Sequence, residues 1–275
     1  KLKNFDPNVK WEDFTEDYWF DFLSYMIGES PNKKGDVVKK PIQNKTIYCY
    51  LDCIKKILSL ALKKKYPVPE DFFDLSYKFE EKQPFWCTWE EVMLIKDAPV
   101  FLKAEEVVRD SFYICANTGI RNSDFNKISP QSIYFNNGNP MLRLVTVKTR
   151  MDYSIPINND VYELLKKYNL KIPRYTNVYY NRLLKRIAGR IGKIHKQEYR
   201  KVYYVGTKRF EEVVPRSDMF STHTARRTFG RRWVDNNGSK YILQKIFGHK
   251  TEAIMMKYIG YSSFDIENEF LKVMG

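Results

Sequence analysis

A histidine and an arginine in residues 221–229 stand where both can meet a phosphate group. His223 and Arg226 are three residues apart, and Ser221 or Thr222 can cap a helix that begins here. Residues three apart share a helix face, and the first turn of a helix offers free backbone N–H groups and the positive end of its dipole. The guanidinium adds a forked pair of donors for phosphate oxygens. The segment therefore predicts an anion site with a titratable imidazole beside it.

Three further segments carry groups suited to the same anion. Arg121 follows a helix-breaking glycine, and Asp124, three residues later, can orient the guanidinium. Lys148 lies between two strand-like runs, so we expect it at the tip of a hairpin. His249 follows the end of a helix, and Tyr258 comes nine residues after it. Together these segments place cationic and nucleophilic groups where they could converge on one phosphate.

In their order and spacing, these residues resemble the tyrosine recombinase family, the integrases of phages and integrative mobile elements. The family pattern is an arginine in T-G-x-R-x-x-E/D, a hairpin lysine, H-x-x-R, G-H/W, and a tyrosine nine residues after that His or Trp. Residues 118–258 contain every part of this pattern. Asp124 replaces the commoner glutamate, Arg227 stands where a histidine often occurs, and Phe247 replaces leucine. None of these departures removes a reacting group.

The resemblance implies a site-specific DNA recombinase that cleaves and rejoins strands through a 3′-phosphotyrosyl intermediate, with no metal and no cofactor. Tyr258 would attack the phosphate while Arg121 and Arg226 clamp its non-bridging oxygens. Lys148 would protonate the leaving 5′ oxygen, although a hairpin lysine can equally be a simple phosphate contact. Repeated on paired duplexes through a Holliday junction, the reaction would integrate or excise a mobile element.

The remaining site residues have supporting roles in this interpretation. His223 would assist proton transfer to or from Tyr258, His249 would hydrogen-bond the phosphate, and Asp124 would support the first arginine. Tyr261 is a competing tyrosine three positions further on, but the spacing from His249 favours Tyr258.

The resemblance also implies partners. Double-stranded DNA at attachment or core sites is the expected substrate, bound between two domains by a homo-tetramer that acts on two duplexes. A short C-terminal helix, from about Ser263 to Val273, would dock on a neighbouring subunit or pack on its own domain. Accessory DNA-bending proteins are a further expected class of partner. The expected location is the bacterial cytoplasm, at the nucleoid.

Composition agrees with a polyanionic partner. The 275 residues include 47 Lys+Arg and 33 Asp+Glu, a net charge of +14. Residues 1–30 hold 3 lysines and 7 acidic residues, whereas residues 31–65 hold 10 lysines and 2 acidic residues. This division predicts one basic face for nucleic acid, although solvated surface lysines are the simpler explanation of any single run. The predicted DNA-binding residues are Lys33, Lys34, Lys39, Lys40, Lys45, Lys55, Arg150 and Arg227.

Composition also excludes several classes of protein. A hydrophobic content of 43% excludes a disordered basic tail, and the apolar runs are too short for a membrane span. Cysteines 49, 53, 87 and 115 lack the spacing of a zinc site, and we expect four reduced thiols in the core. Because the chain starts at Lys1 and not at Met, we expect that it is part of a longer protein.

Periodicity predicts the elements that hold these residues. The fold class is mainly α with a small antiparallel β-sheet. A helical core-binding domain is expected over 1–80, a linker over 81–86 and a catalytic domain over 87–275. Thr15, Asn44 and Thr88 are predicted helix caps, an amphipathic piece is expected from Asp71 to Phe79, and residues 197–215 are expected to form a second hairpin.

Two other functions use part of the same pattern. A type IB topoisomerase-like enzyme would share the chemistry, but the H-x-x-R and G-H spacing favours a recombinase. A DNA-binding regulator with an inactive site would not need the full set of reacting groups. A metal-dependent nuclease would need a carboxylate cluster that the sequence does not contain.

Overall fold

The computed structural model describes residues 1–38, 40–80, 83–145 and 152–261. By the contacts within the chain, it divides into two compact units. The first comprises Lys1–Lys82 together with Arg200–Val213, and the second comprises Gln83–Tyr199 together with Val214–Gly275. Among the described residues, no helix is both long and apolar enough to cross a membrane.

The predicted fold class is confirmed, because helices dominate and the strands form two small antiparallel sheets. The helices are α1 Leu2–Phe5, α2 Glu16–Ile27, α3 Asn44–Lys63, α4 Trp89–Lys96, α5 Lys103–Thr118, α6 Asn159–Lys167, α7 Asn177–Arg190, α8 Gly192–His195, α9 Thr222–Asp235, α10 Lys240–Phe247 and α11 Glu252–Ile259. The strands are β1 Ile133–Asn136, β2 Asn139–Val145, β3 Asp152–Pro156, β4 Glu198–Val205 and β5 Lys208–Pro215.

The core of the first unit forms between α2 and α3. The α2 helix begins as predicted at Thr15, whose hydroxyl accepts a hydrogen bond from the Tyr18 N–H at 3.3 Å. Side chains at spacings of three and four residues are buried along both helices, among them Trp19 and Phe22 of α2 and Ile47 and Leu58 of α3. Full burial of each such side chain contributes about 1.5–3 kcal/mol.

Asn44 is buried for a reason that the sequence did not predict. Gln43 and not Asn44 occupies the cap position of α3, so the predicted cap is wrong. The Asn44 amide instead pairs with the turn of the β4–β5 hairpin. Its Nδ2 donates to the Gly206 carbonyl and its Oδ1 accepts from the Gly206 N–H, both at 2.8 Å. The Tyr77 hydroxyl donates to the same Oδ1 at 3.0 Å. The hairpin thus belongs to the first unit through a satisfied buried amide.

The second unit is built around α5. Side chains of α5, of the helices that pack against it and of the three-stranded sheet form one hydrophobic core. The α5 side chains in this core include Val108, Phe112 and Ile114. The sheet has the order β1-β2-β3, with Ile133 opposite Leu142 and Leu144 opposite Tyr153. The turn between β1 and β2 consists of Asn137 and Gly138, both of which have a positive φ.

Two expectations about smaller features are wrong. Cys49 and Cys53 are exposed and only Cys87 and Cys115 are buried, because the first pair lies on the solvent side of α3. The predicted amphipathic piece is reduced to a single 3₁₀ turn, Asp71–Phe73. The predicted C-terminal helix, from about Ser263, lies outside the described residues.

Replacement of Asn44 by alanine is expected to lower the free energy of unfolding by on the order of 2 kcal/mol, because backbone groups of Gly206 lose their buried partners. Urea unfolding of the whole chain measures this. Asn8→Ala, at an exposed position, is the matched control and should change stability by less than about 0.5 kcal/mol. Equal effects of the two substitutions would contradict the structural role of Asn44.

Candidate active site

The beginning of α9 positions the H-x-x-R pair. Of the two predicted candidates for the cap, Ser221 occupies the position, and its N–H donates to Thr224 Oγ1 at 3.0 Å. The next N–H, that of Thr222, donates to Asn181 Oδ1 of α7 at 2.8 Å. These bonds fix the direction in which α9 starts. His223 therefore lies in the first turn, and Arg226 lies one turn further along.

The Arg226 side chain enters the interior of the second unit and is only 2% exposed. A buried guanidinium needs acceptors, because an unpaired buried charge is costly. Nη1 donates to the Gly119 carbonyl, and Nη2 donates to the Phe247 carbonyl at 2.8 Å. The guanidinium carbon also lies 4.1 Å from the centroid of the Phe247 ring. Arg226 thereby connects the end of α5 with the end of α10.

Arg121 reaches the same acceptor from a different element. It follows α5, and its Nη2 donates to the Phe247 carbonyl at 2.6 Å. Its Nη1 lies 4.0 Å from Oδ2 of the buried Asp124 carboxylate. Phe247 is the last residue of α10, where backbone carbonyls have no partner within the helix and carry the negative end of its dipole. One carbonyl therefore holds two guanidinium groups together.

This arrangement concentrates positive charge. Burial and the nearby charge of Arg121 lower the pKa of Arg226 to about 10. Arg226 therefore stays protonated at neutral pH, but its charged form is less stable than it would be in water. An anion bound beside the two guanidinium groups would offset that cost.

The tyrosine of the pattern lies on α11, next to both histidines. Tyr258 Oη is 3.2 Å from His223 Nδ1. Its ring centroid is 5.1 Å from that of His249, in an edge-to-face arrangement. The competing Tyr261 ring lies beside other cations, with Lys240 Nζ 5.1 Å from its centroid.

The pKa shifts of this pair have opposite directions. Burial raises the pKa of Tyr258, although the positive charges of Arg226, Arg227 and Arg121 act to lower it. Burial and the same three positive charges lower the pKa of His223. At neutral pH the pair therefore consists of a phenol and a neutral imidazole, so the imidazole can accept the phenol proton.

The structure brings together most of the predicted catalytic residues. Arg121, His223, Arg226, His249 and Tyr258 lie around the Phe247 carbonyl and the adjacent ring contacts. Lys148 and Arg150 lie outside the described residues. Within those residues, no group of three or more His, Cys, Asp or Glu side chains is placed to hold a metal ion.

Several lysines predicted to bind DNA make contacts within the first unit. Lys33 pairs with Asp21 at 3.3 Å, and Lys45 Nζ lies 3.7 Å from the centroid of the Phe79 ring. Lys55 donates to the backbone carbonyls of Phe73 and Leu75. Lys39 lies outside the described residues.

Lys34 and Lys40 are exposed, and together with Lys1 and Lys3 they line a surface groove of the first unit. Contact of any of these lysines with DNA stays a prediction.

Sequence reasoning missed the groups that assemble the site. The carbonyls of Gly119 and Phe247 are backbone acceptors, which leave no signal in residue type. Arg227 was predicted only as a DNA contact, yet its guanidinium carbon lies 5.1 Å from the centroid of the Tyr258 ring. Its spacing of four residues from His223 on a predicted helix was the available signal.

Comparison with known proteins agrees with this geometry. Residues 93–263 match the phage integrase family, and residues 1–79 match the phage integrase SAM-like domain. Because the first match covers more than half of the chain, the chain belongs to the phage integrase family. It is a site-specific tyrosine recombinase. Comparison with curated protein sequences gave no match.

Solved structures with the same fold include two integrases bound to DNA. A lambda integrase dimer bound to a COC′ core site is 15% identical, with a TM-score of 0.63 over 94% of this chain and 68% of that chain. The Tn1549 transposon integrase in complex with transposon right end DNA is 16% identical, with a TM-score of 0.61 over 98% of this chain and 87% of that chain.

Gly119→Ala is expected to reduce both stability and activity. Gly119 has a φ of 66°, and an added Cβ would lie 2.4 Å from Phe229 Cδ1. The positive φ costs on the order of 1 kcal/mol, and the overlap costs about 1–3 kcal/mol more. The backbone shift that relieves this overlap would also displace the Gly119 carbonyl, which accepts a hydrogen bond from Arg226.

Gly138→Ala is the matched control, because Gly138 has a φ of 78° but no atom within 4 Å of an added Cβ. Thermal unfolding should therefore show the larger loss for Gly119→Ala. If the two variants lost equal stability, close packing at Gly119 would not be what positions Arg226.

Proposed function

We propose that the residues around the Phe247 carbonyl carry out DNA strand transfer through Tyr258. The observation that carries this proposal is the combination of two guanidinium groups on one carbonyl with a phenol 3.2 Å from an imidazole nitrogen. Arg121 and Arg226 bind the non-bridging oxygens of the scissile phosphate, and their preorganised donors stabilise the charge of the transition state. His249 donates a hydrogen bond to the same phosphate, and Asp124 orients Arg121.

The covalent step exchanges one phosphate ester for another. His223 Nδ1 accepts the phenol proton as Tyr258 Oη attacks phosphorus, and the new bond is a 3′-phosphotyrosyl ester. The bond from phosphorus to the 5′ oxygen breaks, and that oxygen takes a proton and leaves as a 5′-hydroxyl. Because one ester replaces another, a 5′-hydroxyl of a partner strand can reverse the step without a nucleotide cofactor.

We assign Lys148 as the general acid for the leaving oxygen. This assignment is supported by its place in the sequence between β2 and β3, where a hairpin lysine belongs in the family pattern. The protonated ammonium group of the lysine gives a proton to the leaving oxygen and becomes a neutral amine, without the need for a metal ion.

In this proposal the first unit binds the DNA backbone. We assign residues 1–80 as the core-binding domain, 81–86 as the linker and 87–275 as the catalytic domain. The exposed Lys34 and Lys40 are the best supported of the predicted backbone contacts, because they line a basic groove. Contacts to phosphates position a protein on DNA and make its affinity sensitive to salt.

The reaction requires two duplexes and therefore several subunits. We propose a homo-tetramer that integrates or excises a mobile element through a Holliday junction, with the C-terminal segment docked on a neighbouring subunit. Accessory DNA-bending proteins and a site of action at the bacterial nucleoid belong to the same proposal.

A nicked suicide DNA substrate tests the chemistry. With a cognate site and EDTA, the unaltered protein is expected to form a covalent adduct that survives a denaturing gel. Tyr258→Phe should abolish the adduct because the nucleophilic oxygen is lost, whereas Tyr261→Phe should retain it. An adduct with Tyr258→Phe, or a requirement for added metal, would refute the mechanism.

The rate of adduct formation is expected to fall at acidic pH. His223 acts as the base only when neutral, and its pKa is lowered from the ordinary value of about 6.5. The single-turnover rate should therefore show no acid inflection between pH 7 and pH 8 and should fall through an inflection below about pH 6.5. An inflection above pH 7 would show that His223 is not the base.

A further inference from the structure

Arg227 occupies a position that DNA binding alone does not explain. It lies on α9, four residues after His223 and next to Arg226. Its guanidinium carbon is 5.1 Å from the centroid of the Tyr258 ring. Its Nε is buried and has no hydrogen-bond partner among the described residues. The Tyr258 ring is thus the aromatic ring over which this cation lies in the described part of the chain.

We propose that Arg227 is a positioning residue for the nucleophile, with its guanidinium over the Tyr258 ring stabilising the phenolate as it forms. A cation over an aromatic ring is attracted by the ring electrons, and a ring that gains negative charge attracts it more strongly. The contact is thus stronger in the transition state than in the resting phenol, which is the condition for a contribution to rate. The proposal rests on Tyr258 being the nucleophile, as proposed above.

The same cation also acts on the proton acceptor. Burial is the main cause of the lowered pKa of His223, and the charge of Arg227 lowers it more than any other neighbouring charge does. His223 also faces Arg226, Arg121 and Tyr258, while Tyr258 faces these arginines together with Cys115 of α5 and the ring of His249. Arg227 therefore favours both the ionised tyrosine and the neutral histidine.

Ionisation of the nucleophile measures the effect directly in the free protein. 3-Fluorotyrosine is placed at position 258 alone, and its ¹⁹F chemical shift is followed against pH. Arg227→Gln is expected to lower the ionisation constant of this phenol by about tenfold, since one neighbouring positive charge is lost. Arg182→Gln is the matched control, because Arg182 lies 5.0 Å from the ring centroid of a different tyrosine, Tyr179, and should leave the constant unchanged.

Arg227→Lys separates the charge from the packing of the side chain. It keeps the positive charge, so the ionisation constant should stay within about threefold of that of the unaltered protein. A decrease as large as that of Arg227→Gln would overturn the proposal, and so would an unchanged constant in Arg227→Gln. This measurement does not depend on whether the protein cleaves DNA.

Adduct formation at saturating DNA gives the second readout. Arg227→Gln should slow the single-turnover rate about tenfold with tyrosine at position 258. The decrease should be clearly smaller with 3-fluorotyrosine, because a more acidic phenol needs less stabilisation. If Arg227→Gln only weakened DNA affinity and left the saturated rate unchanged, Arg227 would be a phosphate contact and the proposal would be wrong. Absence of any adduct with the unaltered protein would instead count against the proposed function.

Discussion

The Phe247 carbonyl is the interaction on which the rest of the site depends. Two guanidinium groups from separate elements donate to this one oxygen, at 2.6 Å from Arg121 and 2.8 Å from Arg226. Like charges would otherwise repel, and the acceptor at the negative end of α10 makes their proximity tolerable. The end of α5, the start of α9 and the end of α10 are thereby held together. Because α11 follows α10 after a short turn, the same contacts also determine where Tyr258 lies.

The chemistry of the site follows from the positive charge of its neighbouring guanidinium groups. Arg226 is buried, and its lowered pKa records the cost of holding its charge beside Arg121. A phosphate would relieve that cost, so the arrangement of the two guanidinium groups is complementary to the anion that the site is proposed to bind. The tyrosine nevertheless remains a phenol, because burial outweighs the cations around it. A base is therefore required, and the nearby neutral imidazole of His223 can serve as that base.

Sequence reasoning was most reliable where the side chain itself carries the signal. It predicted the H-x-x-R helix with a serine or threonine cap, the glycine after α5 and the β4–β5 hairpin, because caps, glycines and alternating patterns are local properties. It could not predict that Asn44 binds the backbone of Gly206 and is not the cap of α3, since this contact joins residues far apart in the chain. It also missed the carbonyls of Gly119 and Phe247, which any residue type could supply. Arg227 was predicted as a DNA contact because only its charge was visible, and its place over the Tyr258 ring depends on how α9 and α11 pack.

The central claim is that the paired guanidinium groups compensate the charge of the scissile phosphate. A DNA substrate with a neutral methylphosphonate at that position tests it, because one charged oxygen is replaced by a methyl group. The ratio of single-turnover adduct rates between the unaltered protein and Arg121→Gln is the quantity to measure. The account predicts a large ratio with phosphate that falls at least about tenfold with methylphosphonate, since the charge that Arg121 compensates is gone. An equal ratio on both substrates would show that Arg121 acts only by holding the fold, and would contradict the claim.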